Sequence, residues 1–109
     1  MVMASSSPVV HSPSTELLEA ALFVARNSRA RRILEALSKS KRMFTVQLLK
    51  EALGRVNNHD HNLLRELEGL GLIRRYPGKL HGDEGPHVVW NEITSFGRHV
   101  LEIVKSMES

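Results

Sequence analysis

Cysteine is absent from the 109 residues, which excludes disulfide staples, thiolate zinc sites and thiol nucleophiles. No apolar run approaches the roughly 18 residues that a membrane span requires. The N-terminal stretch MVMASSSPVVHSPS has neither a basic leading region nor a long apolar core, so it does not read as a signal peptide, and a cytoplasmic location is expected. Glycine-rich phosphate cradles of the dinucleotide or P-loop type are missing, and no Ser/His/acid arrangement is visible. The length allows one domain with a modest core and little room for a closed catalytic cavity. An enzyme is therefore not expected, and no cofactor is implied.

What the chain does have is an uneven distribution of charge. Fifteen Lys and Arg face twelve Asp and Glu, a formal net charge of only +3. From Arg26 to Arg55, nine bases stand against Glu35 and Glu51 alone, a local charge of +7, which leaves −4 for the remainder. A charged helix face is most often merely solvated, so this polarity gains meaning only from where it falls on a fold.

Residues 1–13 hold four Ser and two Pro without periodicity and read as a mobile tail, leaving 14–108 as a single domain. Ser14 or Thr15 is positioned to cap a helix with Leu17, Leu18, Ala21, Leu22 and Ala25 as its apolar stripe. Asn27-Ser28 marks a break before a second helix to about Ser40, with Ala30, Ile33, Leu34 and Leu37 on one face. The pattern also permits one continuous helix. Beyond a stub at 41–44, Thr45 is expected to cap a short helix with Val46, Leu49 and Leu53 inward, ended by Gly54. Asn57 or Asn58 caps the next, whose stripe is Leu63, Leu64, Leu67 and Leu70. The period then falls to two, predicting strands over 72–76 and 88–93. The ten residues Pro77 to Pro86 between them, with three Gly and two Pro, predict a long loop. Thr94 caps a last helix with Phe96, Val100, Leu101, Val104 and Met107 inward.

A mainly α chain with one small β-hairpin, in this order, is a winged helix-turn-helix: a three-helix core, a wing and extra terminal helices. The segment LRELEGLGLIRR (64–75) closely resembles the end of the recognition helix and the first wing strand of small bacterial and archaeal winged-helix regulators of the MarR, ArsR and PadR kind. NEITSFGRHVLE (91–102) is similar to their last strand, Thr cap and helix start. The resemblance covers about residues 28 to 104. It implies a transcription regulator that binds double-stranded DNA, and relatives commonly pair through terminal helices, which implies a homodimer.

The residues support the same reading directly. A helix about 10–12 Å across fits the major groove. The positions of the 57–70 helix expected to face outward are Asn57, Asn58, His59, His61, Asn62 and Arg65. Asn can pair in bidentate fashion with adenine, and Arg with guanine. Lys41, Arg42, Thr45, Gln47 and Lys50, around the first short helix, are expected against the phosphate backbone, joined from the wing by Arg74, Arg75 and Lys79.

Other features temper this. Asp60 falls where relatives usually carry an apolar residue, and its charge opposes phosphate unless it serves the helix dipole. The wing tip sets Asp83 and Glu84 against Lys79, a poor minor-groove finger unless His81 and His87 protonate. His81, Asp83, Glu84 and His87 could converge on a metal, but the intervening Gly and Pro enforce no ligand spacing, so none is expected. His59 and His61 point about 200° apart on a helix and cannot chelate together. Trp90 and Tyr76 read as packing rather than stacking platforms. Winged helices also serve as protein-docking modules of transcription or chromatin machinery, which is the alternative reading. No effector ligand can be identified.

Overall fold

The structure is a computed structural model and describes residues 13–108. The tail expected at 1–13 lies outside the described residues save for Pro13, which opens the first helix. Its missing N–H costs nothing in a first turn. In chain order the elements are α1 (Pro13–Arg26), α2 (Ser28–Ser38), β1 (Met43–Phe44), α3 (Thr45–Leu53), α4 (Asn58–Gly69), β2 (Ile73–His81), β3 (Glu84–Ile93) and α5 (Ser95–Met107). Helices α2, α3 and α4 make the three-helix core, and an antiparallel sheet in the order β1-β3-β2 forms the wing. This is the winged helix expected. Among the described residues no helix is long and apolar enough to cross a membrane.

Residues 13–38 form two helices, not one. Asn27 leaves helical geometry (φ −126°, ψ 96°), and its side-chain oxygen accepts from the Ala30 N–H at 3.0 Å, capping α2. The buried face of α1 differs from the expected one. Ala20, Ala21 and Val24 are buried, whereas Leu18 is 59% exposed and Ala25 is exposed. Small side chains let α1 approach its neighbours closely and leave the larger leucine outside.

The inward face of α3 is also rotated from expectation. Leu48 and Leu49 are fully buried while Val46 stays exposed. Positions 46, 49 and 53 and positions 45, 48, 49 and 52 both obey helical spacing, and nine residues are too few for pattern to choose. Thr45 does not cap the helix: the cap position is Phe44, with no side-chain bond. The Thr45 hydroxyl faces the sheet instead. Gly54 ends the helix at φ 79°, as predicted. Ile33, Leu34, Leu37, Leu64, Leu67, Leu72, Val100 and Val104 complete a fully buried centre beneath α4 and the wing.

The largest departure is in the wing. The Gly/Pro-rich stretch is not a loop: the strands run to a tight turn at Gly82-Asp83, with an irregularity between Lys79 and His81. Pro77 is tolerated because β2 is an edge strand. Gly78 is required because a Cβ there would lie 2.7 Å from the Trp90 indole, which crosses the neighbouring strand. Glycine here marks close approach, not a bend.

Candidate nucleic-acid interface

Helix α4 begins at the Asn57 cap, whose side-chain oxygen accepts from the Asp60 N–H at 3.1 Å. The cap thus engages the carbonyl end of Asn57 and leaves its amide group. Asn58, His59, Asn62 and Arg65 are exposed along the helix, while His61 is half-buried. Arg65 donates through Nη1 to Asn62 Oδ1 at 3.1 Å, which stiffens two neighbouring candidates for base contact.

Asp60 does not oppose phosphate from the reading face. It is 1% exposed and turned inward, ion-paired with Arg29 of α2. Its second carboxylate oxygen has no partner among the described residues. Arg29, Arg32 and Arg55 line a recess of about 190 Å³ with Leu53 and Asp60. On the far side of α2, Arg31 pairs with Glu35 at 3.6 Å and with Glu108. Two members of the basic window therefore bind helices to each other. Arg26, Arg32, Lys39, Lys41, Lys50 and Arg55 remain exposed.

Between α4 and the wing runs a groove of about 480 Å³, lined in part by His61, Arg65, Glu68, Arg75, Tyr76 and Thr45. Arg75 rises into it from β2. Its Nε donates to Asn91 Oδ1 at 2.8 Å, and Nη2 donates to Thr45 Oγ1 at 3.2 Å. Burial lowers the pKa of this guanidinium below its ordinary value, Glu68 raises it and Arg65 lowers it further. Two guanidiniums feel each other across the groove.

Asn91 had no place in the sequence-derived site, yet it is fully buried and uses both ends of its amide. Nδ2 donates to Met43 O at 3.1 Å, Thr45 Oγ1 at 3.1 Å and Val89 O at 3.3 Å. The available signal was an amide directly after the apolar run Val88-Val89-Trp90, at a strand position between Trp90 and Glu92.

The other wing cations are held differently. Arg42 lies 3.9 Å above the centre of the Trp90 ring and donates to the Tyr76 hydroxyl at 3.2 Å. Trp90 is 8% exposed and meets Phe44 edge-on at 6.0 Å, so it packs rather than offering a stacking face. Arg74 pairs with Glu92 at 3.0 Å. Lys79, exposed near the tip, donates to the Asp83 carbonyl at 3.2 Å. Gln47 is half-buried on α3. His81 pairs in register with Glu84, and among the described residues no three His, Asp or Glu side chains gather closely enough to hold a metal.

No family model and no curated protein matches the chain. Among solved structures it is similar to NadR in complex with 4-hydroxyphenylacetate, with a TM-score of 0.61 and 18% identity over 97% of this chain and 77% of that one. At that identity the likeness is one of fold.

Proposed function

We propose that this chain is a DNA-binding regulator of transcription that reads the major groove with α4 and works as a homodimer. The observation that carries the reading is the outer face of α4. Asn58, His59, Asn62 and Arg65 stand exposed there, and the helix borders a groove holding two guanidiniums. Side chains able to bind base edges beside groups suited to phosphate are what groove recognition needs. The winged-helix likeness to NadR and the resemblance at 64–75 and 91–102 support the same assignment.

Lys41, Arg42, Thr45, Gln47, Lys50, Arg74, Arg75 and Lys79 are assigned to the DNA backbone, with unequal freedom. Lys41 and Lys50 are exposed. Arg42 and Arg74 must leave a ring or a carboxylate, at least in part, to reach phosphate. Pairing is assigned to α1 and α5, which lie outside the three-helix core and share an apolar recess.

A salt titration with duplex DNA tests the reading. Five or more neutralised phosphates give a slope of log K against log salt of about −4.5 or steeper. Failure to bind at low salt overturns it and leaves the same surface as a protein-docking face. Selection from a random duplex pool then separates the roles. Arg65→Ala is expected to relax preference at one base position, a loss of about 1–3 kcal/mol there, while Lys41→Ala weakens all sequences alike. Equal loss on every sequence for both variants refutes the division.

A further inference from the structure

We propose that buried Asn91 is the positioning residue of a phosphate site in the groove between α4 and the wing, where it presets the Arg75 guanidinium that receives the anion. The site rests on the DNA-binding reading above and adds to it a residue that never meets the ligand.

A long arginine on a strand edge samples many rotamers, and ordering it against a phosphate costs side-chain entropy. Here that ordering precedes binding. Nε is held at 2.8 Å by Asn91 Oδ1, and Nη2 at 3.2 Å by the Thr45 hydroxyl. Asn91 cannot turn away, because its Nδ2 donates to the Met43 and Val89 carbonyls and to the same Thr45 hydroxyl. The fork is thus fixed by β1, β3 and the start of α3 together. Nη1 has no hydrogen-bond partner among the described residues, and the groove that Arg75 lines also holds Arg65 and His61. Glu68 lines it as well and offsets part of the positive charge. An oxyanion placed between Arg65 and Arg75 relieves the repulsion of two guanidiniums and supplies acceptors for the free donors. Arg42 and Arg74, the other candidates on this side, are held as well, but not by buried Asn91 and not toward this groove. Each is drawn to a partner on the outer wing, the Trp90 ring or the Glu92 carboxylate.

The chemistry required is a phosphate oxyanion, whether of a DNA backbone or free in solution, and a mutant cycle distinguishes position from mere packing. Arg75→Ala and Asn91→Ala are each expected to weaken duplex binding about tenfold, the worth of one charge-assisted hydrogen bond. The double variant is expected to bind as Arg75→Ala alone. Additive losses of about a hundredfold, or no loss from Asn91→Ala, overturn the positioning role. Should Asn91→Ala fail to fold, Asn91→Leu replaces it in the cycle, because it refills the buried volume and still removes the Oδ1 that holds Arg75 Nε. The second arm titrates inorganic phosphate into the free protein while following the Arg75 Nε–H signal by NMR. Duplex binding with the expected cycle and no response to inorganic phosphate assigns the site to the phosphodiester. A saturable shift that Asn91→Ala abolishes, in a protein that binds no duplex, keeps the site and overturns the DNA reading. No shift and no duplex binding overturns both.

Discussion

Glu92 accepts the Tyr76 hydroxyl, pairs with Arg74 and faces the charge of Arg42. The phenol bond is the largest cause that holds its carboxyl below the ordinary range. Burial works the other way and the arginines assist. A carboxylate depressed in the folded state contributes stability above its unfolded value, near pH 4.3, and loses it as pH falls through the folded value. Glu92→Gln is therefore expected to melt below the wild type at neutral pH, with the gap closing as pH drops below about 4. Melting curves from pH 7 to pH 3 check this, and a gap that stays constant refutes the assignment. At this scale the sequence spoke for exposed residues more clearly than for buried polar ones. Asn58, His59 and Arg65 follow from helical phase alone. The partner of Asp60 comes from another helix, 31 residues earlier, and the partners of Asn91 come from β1, α3 and β2. Periodicity carries no information about such distant pairings.

Elements were legible where pattern and cap agreed. Asn57, Thr94 and Gly54 mark ends that the structure reproduces. The wing strands were not legible beyond 72–76 and 88–93, because Gly and Pro are read locally as turn residues. Gly78 instead makes room for an indole from the next strand, a contact invisible to local propensity. Gly97 plays a comparable part at the start of α5. A Cβ there would sit 2.1 Å from the Leu72 carbonyl oxygen and 2.9 Å from Ile93 Cγ1. Backbone cannot yield as a side chain can, so Gly97→Ala is expected to cost about 3 kcal/mol or more in urea unfolding. A change below about 0.5 kcal/mol, within the range of ordinary surface substitutions, would show that α5 does not dock this closely.

At the scale of the whole fold, the described residues span 58 × 35 × 24 Å, with a radius of gyration of 16.2 Å against about 13 Å for a compact chain of 100 residues. It is elongated. On α1 and α5, Leu17, Leu18, Ala21, Leu22, Ile103 and Met107 line an apolar recess of about 350 Å³. Leu18 and Met107 are each 59% exposed. In the homodimer proposed above, a second copy pairing the same two helices about a two-fold axis would cover them and set two α4 helices against successive half-sites. Leu18→Glu is expected to convert a dimer to a monomer by light scattering, with its melting temperature little changed and its DNA affinity reduced. A wild type that stays monomeric across the accessible concentration range refutes the pairing.

The junction at Leu72 ties these two regions together. Its carbonyl oxygen receives the Thr94 N–H and hydroxyl at 3.1 Å each, and the absent side chain of Gly97 lets α5 begin directly against it. The same hydroxyl reaches Gly71 O at 2.7 Å, just past the end of α4. This is a joint without clearance: it has no room to absorb a sliding motion of α5. Whatever tilts that helix must carry the end of α4 and the root of the wing with it.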